Sequence, residues 1–247
     1  MEEPIEENNA PDEYGCTLMS LAATGNLDKL LILFNHTRRP SQYSGETGTT
    51  KDTFFELLDG NGNSAMLIAC SKGHLNIVQF LFQQGAKADI RQPNKEGVTP
   101  MTSACHNGHI HIVQYLFQNG ASVRQTTNKG STPMLIACRE GHLNIVQFLF
   151  QNGAKGDVRR PDKDGVTPML SACFGGYMKI ILFLFQNGAR GDVEKVSCDG
   201  TSPMLVSCQE GEIFSFLLLS SLFFCFYRFL VSSFLVFIYM YMIVHVE

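Results

Sequence analysis

The stretch GSTPMLIACREGHLNIVQFLFQNGA, Gly130 to Ala154, sets two short apolar runs between glycines. Thr132 offers a hydroxyl to cap a helix start, and Pro133 suits a first helical turn, where its missing N–H costs nothing. Met134 to Cys138 then form a short helix with small residues on one side. Gly141 ends it, and Leu143 to Phe150 form a second helix whose Ile145, Val146, Phe148, Leu149 and Phe150 give a broad apolar face. Gly153 stops that helix, and about a dozen polar residues lead onward. The unit reads as helix, tight turn, helix and extended finger.

Working outward, the same unit recurs. Thr99-Pro100, Thr132-Pro133, Thr167-Pro168 and Ser202-Pro203 place their prolines 33, 35 and 35 residues apart, and Ser64-Ala65 fills the same slot 35 residues before Pro100. GHLNIVQFLFQ stands identically at Gly73 and Gly141, with variants GHIHIVQYLFQNGA at Gly108 and GYMKIILFLFQNGA at Gly176. So strict a period predicts a stacked solenoid. A less perfect unit, GCTLMSLAATGNLDKLLILF, opens the series at Gly15.

The motifs T-P-M-L and G-H-x-x-I-V-x-x-L-F, recurring from about Tyr14 to Gly211, resemble the ankyrin repeat. That resemblance implies an all-α helix-turn-helix solenoid with extended β-hairpin-like fingers. Its units lie near 14–34, 60–86, 95–121, 128–154 and 163–189, with a partial one at 198–211. Residues 1–13 read as an acidic disordered tail, 35–53 as a flexible insertion and 212–247 as a hydrophobic tail. Two departures stand out. The family's histidine after T-P-L is absent, its slot holding Leu67, Thr102, Leu135, Leu170 and Leu205. This shifts stacking toward apolar packing. Most fingers are also two residues longer than a 33-residue unit needs, as in AKADIRQPNKEG, while ASVRQTTNKG keeps the shorter form.

Charge and motif content exclude several functions. The net charge of −4 is concentrated in six acids before Tyr14, which leaves the remainder near +2. Such a balance is too small for binding by phosphate neutralisation, so no nucleic-acid partner is expected. The opening residues form no basic-then-apolar leader. Five of the eight cysteines, Cys70, Cys105, Cys138, Cys173 and Cys208, occupy one repeated slot and read as small buried thiols in a cytoplasmic compartment. Stacked units lie roughly 10 Å apart, too far for shared metals or disulfides. His106, His109 and His111 sit beside Cys105, but no second Cys/His pair lies nearby to complete a zinc site. No G-x-S-x-G, Walker loop or H-E-x-x-H is present. Neither catalysis nor a cofactor or metal is expected.

What remains is a surface. The pair of positions ending each first helix changes from unit to unit while the rest hardly varies: Ser71-Lys72, His106-Asn107, Arg139-Glu140, Phe174-Gly175 and Gln209-Glu210. Arg91, Arg124, Arg159 and Arg160 lie on the fingers. The resemblance implies recognition of a protein on the concave finger and helix face. Lys72, Arg91, His106, Asn107, Arg124, Arg139, Glu140, Arg159, Arg160, Phe174 and Gln209 are its candidate contacts. A moderately basic face points to an acidic or mixed-charge partner for a monomeric array.

The pattern breaks after Gly211. From Glu212 to Glu247 only Arg228 is a lysine or arginine, and the run is long enough for a membrane span. One reading makes this a C-terminal anchor with Phe229, Leu230, Phe234, Phe237, Ile238 and Ile243 in lipid. A second makes it translated non-coding sequence, with the array a fragment of a longer adaptor. A third makes it a hydrophobic cap on the last unit.

Overall fold

Helix starts in this chain are set by hydroxyl side chains that satisfy N–H groups the helix itself cannot. Ser64 Oγ accepts from the Leu67 N–H at 3.2 Å, Thr132 Oγ1 from Leu135 at 3.1 Å, Thr167 Oγ1 from Leu170 at 3.1 Å and Ser202 Oγ from Leu205 at 3.2 Å. Thr99 does the same for Thr102, whose own hydroxyl accepts from the Thr99 N–H at 2.8 Å to close a capping box. Thr102 thus puts the family's lost histidine slot to a local use.

The computed structural model describes residues 11–37 and 57–209. Its helices are α1 (Pro11–Thr24), α2 (Leu27–Thr37), α3 (Ala65–Lys72), α4 (Leu75–Gln84), α5 (Pro100–His106), α6 (Ile110–Gln118), α7 (Pro133–Arg139), α8 (Leu143–Gln151), α9 (Pro168–Phe174), α10 (Met178–Gln186) and α11 (Pro203–Gln209). The first helices stack in one row, α1 on α3, then α5, α7, α9 and α11, and the second helices α4, α6, α8 and α10 form the row behind. α1 begins at Pro11, inside the segment expected to be a tail.

Equivalent residues build the core at each level. Met66, Met101, Met134 and Met169 of the first row, and Ile77, Ile112, Ile145 and Ile180 of the second, are buried. Cys70, Cys105, Cys138 and Cys173 are buried between them, and burial pushes the first three thiols far above the ordinary range. They are packing groups. Edge-to-face ring pairs link Phe34 with Phe80, Phe82 with Tyr115, Phe117 with Phe148 and Phe150 with Phe183, at 5.4–6.0 Å. Each such pair adds about 0.5–1.5 kcal/mol beyond the area it buries.

Stacking is not left to apolar packing alone. The ring Nε2 of His74 hydrogen-bonds the Ala23 carbonyl at 3.0 Å, that of His109 the Ser71 carbonyl at 3.2 Å, and that of His142 the His106 carbonyl at 3.1 Å. Each ring occupies the space where a Cβ on the preceding unit's glycine would sit, at Gly25, Gly73 and Gly108. Those glycines also hold left-handed φ values of +74° to +83°. Tyr177 takes the ring's place over Gly141.

The fingers differ from the expected β-hairpin form. Among the described residues the only strand-type pairing is one antiparallel bridge, Leu58 with Ser64. The physical reason is side-chain competition: Asp59, Asn94 and Asp162 each accept, through Oδ1, the N–H groups two and four residues ahead at 2.8–3.1 Å. The two extra residues of the longer fingers are taken up by short 3₁₀ turns at Ala88–Arg91, Lys155–Arg159 and Arg190–Asp192.

Candidate interaction surface

Neighbouring fingertips are joined main chain to main chain. Lys95 N–H donates to the Asn61 carbonyl at 3.2 Å, Asn128 to Glu96 at 2.9 Å, Lys163 to Lys129 at 3.0 Å and Cys198 to Asp164 at 2.9 Å. This continuous rail holds the tips in register opposite the C-terminal ends of the first helices. Between rail and helices, at the third and fourth units, lies a groove of about 590 Å³. Its walls are Lys95, Glu96, Asn128 and Lys129 from the tips, and Ser71, His106, Asn107, Arg139, Glu140 and Ile136 from α3, α5, α7 and the adjoining turns.

Two of these groups are oriented across units. His106 Nδ1 lies 3.1 Å from Glu140 Oε1, and an Arg139 guanidinium nitrogen lies 3.5 Å from Asp162 Oδ2 at the next fingertip. Asn107 Nδ2 donates to the Ser103 carbonyl at 2.9 Å. The groove therefore presents alternating cations, carboxylates and amides over a small apolar floor. At the first tip, burial pushes the Asp59 carboxyl up. Hydrogen bonds from Asn63 and Asn61, with Lys95 nearby, outweigh it and hold the group below the usual carboxylate range.

The candidate contacts thus divide. His106, Asn107, Arg139 and Glu140 converge on the groove. Phe174 continues the row of His106 and Arg139 at the end of α9 with 53% of its surface exposed, and Lys72 is exposed at the end of α3. Gln209 ends α11; its side chain, like the tail residues Phe229, Leu230, Phe234, Phe237, Ile238 and Ile243, lies outside the described residues.

Arg91, Arg124, Arg159 and Arg160 are placed elsewhere, at the finger bases. Arg124 reaches Asp157 at 3.3 Å and Arg159 reaches Asp192 at 3.0 Å, each crossing to the next unit to meet a fully buried carboxylate. Arg160 adds to Asp157 at 3.7 Å, and Arg91 Nε donates to the Gly120 carbonyl at 3.0 Å. In both buried aspartates the second oxygen, Oδ2, has no hydrogen-bond partner among the described residues. Arg91, Arg124 and Arg159 tie unit to unit, whereas Arg160 pairs within its own finger.

Sequence reading missed the tip residues Lys95, Glu96, Asn128 and Lys129. Their signal was available: these positions vary between units inside the otherwise repeated turn. Among the described residues no group of three or more His, Cys, Asp or Glu side chains could hold a metal ion, and no helix is long and apolar enough to cross a membrane.

The family model for ankyrin repeats matches the chain in three overlapping copies, at residues 18–127, 66–160 and 121–195. A search of curated proteins returned no match. With stacked helix pairs, a regular period and most of its length covered by that model, the chain belongs to the ankyrin-repeat family.

Proposed function

We propose that the array is a non-catalytic scaffold that captures a protein partner along the groove between fingertips and first helices. The family's repeats are typically protein-interaction modules. The observation that carries the reading is the placement of variation: the positions that change between near-identical units, His106-Asn107 and Arg139-Glu140, form one wall of the groove. Arginine and aromatic side chains are frequent interface anchors, so Arg139 and Phe174 are the leading contacts. Lys95, Lys129 and Arg139 against Glu96 and Glu140 favour a partner segment of mixed charge rather than a purely acidic one.

Affinity capture with the full chain tests this, comparing wild type with Arg139→Glu and with Phe174→Ala. A partner retained by wild type and lost from both variants, with far-UV circular dichroism unchanged, supports the groove. Partners retained equally by all three overturn it.

A second reading tethers the array to a membrane, favoured by the 212–247 sequence with Arg228 as its only lysine or arginine. Resistance of the full chain to carbonate extraction, lost on deleting 212–247, is its expected signature. Release of the intact chain into the soluble fraction refutes it.

A further inference from the structure

The finger bases form the edge at which the outer face of the second helices ends, and positive charge is concentrated there. Three repeated slots supply it: Lys87, Lys155 and Arg190 in the first, Arg91, Arg124 and Arg159 in the second, Arg160 and Lys195 in the third. These are eight of the fifteen lysines and arginines among the described residues, against four of the thirteen acids. All eight cations are exposed. Of the four acids, Asp157 and Asp192 are buried, Asp89 is half-buried and Glu194 is exposed. Stacking also brings like charges together. Arg124 reaches over Gly156, the neighbour of Lys155, and Arg159 over Gly191, the neighbour of Arg190. The buried carboxylates answer Arg124, Arg159 and Arg160 from beneath, but Lys87, Lys155, Arg190 and Lys195 take no part in those clamps. Lys155 and Arg190 lie instead over the rings of Phe150 and Phe185, 5.8 and 5.4 Å from the ring centres.

Such an edge fits an extended surface of negative charge. Its slots repeat every ~10 Å from the second unit to the fifth, so the cations run in rows about 30 Å long instead of converging on one point. A compact acidic ligand would engage one unit, whereas a layer of anionic headgroups engages every unit at once. Cations carried on aliphatic stems above aromatic rings suit the boundary between headgroups and acyl chains. The chain also carries an apolar signal of its own. After the turn glycines Gly73, Gly108, Gly141 and Gly176, the second helices run back to this edge. Gly211 holds the same slot in the sequence and opens onto the 212–247 run. One apolar signal combined with a basic patch holds a protein durably at a membrane. We infer that the finger-base edge, through Lys87, Lys155, Arg190, Lys195 and the clamp arginines beside them, docks on the surface of an anionic lipid membrane. This goes beyond the tether, which specifies neither the charge of the lipid nor the side of the array that meets it. The groove at the fingertips stays open.

Lysine acetylation read by mass spectrometry tests it, on the full chain transferred from detergent to vesicles. The vesicles are phosphatidylcholine alone or phosphatidylcholine mixed with phosphatidylserine. Lys87, Lys155 and Lys195 react about fivefold or more slowly with the mixed vesicles than with the neutral ones. The fingertip lysines Lys95, Lys129 and Lys163 react equally with both, and concentrated salt abolishes the difference at the edge. Lys155→Gln/Arg190→Gln weakens the protection of Lys87 and Lys195, while Lys129→Gln/Lys163→Gln leaves it intact. Equal edge rates with the two lipids overturn the inference. So does equal protection by duplex DNA or poly-glutamate without vesicles, which would assign the edge to polyanions in general. Sedimentation with the neutral vesicles reports the tether separately. A chain carried down by them, its edge unprotected on either lipid, keeps the tether and loses the inference. A chain held by the mixed vesicles alone, its edge protected, does the reverse.

Discussion

Replacing Gly108 by alanine probes the contact that sets one unit on the next. Gly108 holds φ +79°, and a Cβ there would lie 2.6 Å from Cε1 of the His142 ring. That is well inside the ~3.5–4.0 Å of a favourable carbon contact. The left-handed backbone alone costs a residue with a Cβ roughly 1–2 kcal/mol. Displacing the ring also breaks the 3.1 Å hydrogen bond from His142 Nε2 to the His106 carbonyl, about 0.5–1.5 kcal/mol. Gly108→Ala should therefore destabilise by about 1.5–3.5 kcal/mol in urea unfolding followed by circular dichroism. The cycle with His142→Ala separates the two parts. Once the ring is gone, Gly108→Ala should cost only the backbone share, about 1–2 kcal/mol. Equal costs in both backgrounds would refute the ring-over-glycine contact, and a loss below about 0.5 kcal/mol would refute the backbone reasoning too.

Other perturbations have distinct signatures. Leu149→Ala empties a fully buried site in α8 and should cost about 2–5 kcal/mol by urea unfolding. Arg159→Ala strands the buried Asp192 carboxylate and should cost roughly 1–3 kcal/mol, the half-exposed arginine tempering the loss. Arg91→Ala, which removes only a bond to a carbonyl, should cost about 1 kcal/mol in the same assay. Asp59 has a depressed folded-state pKa, so its contribution is present above the unfolded value near 3.9 and fades as pH falls through the folded value. Asp59→Asn should thus be less stable than wild type at pH 7, and the two unfolding curves should converge as pH falls through the folded value.

Much of the architecture was legible because the signals are local. Thr132-Pro133 and its copies mark helix starts through a hydroxyl and an absent N–H, and both act within three residues. The missing T-P-L-H histidine was read correctly as a loss. The bonds that His74, His109 and His142 make to the preceding unit were not, because their carbonyl partners lie 36–51 residues away. Distance also explains the arginines. Arg124 and Arg159 look like free interface anchors until Asp157 and Asp192, 33 residues onward, are seen buried beneath them. The groove wall at His106 and Arg139 was legible as variation within a repeat. Its opposite wall at Lys95 and Lys129 depends on the rail joining the tips, a three-dimensional fact.

Site-specific photo-crosslinking from the full chain in cells tests the central claim most directly. A benzophenone amino acid would replace Lys129 on the groove, Phe174 beside it, or Gln118 on the outer face. The account predicts one heterologous protein adduct shared by positions 129 and 174 and absent from 118. A heterologous adduct formed only from 118, with none from the groove positions, would contradict it.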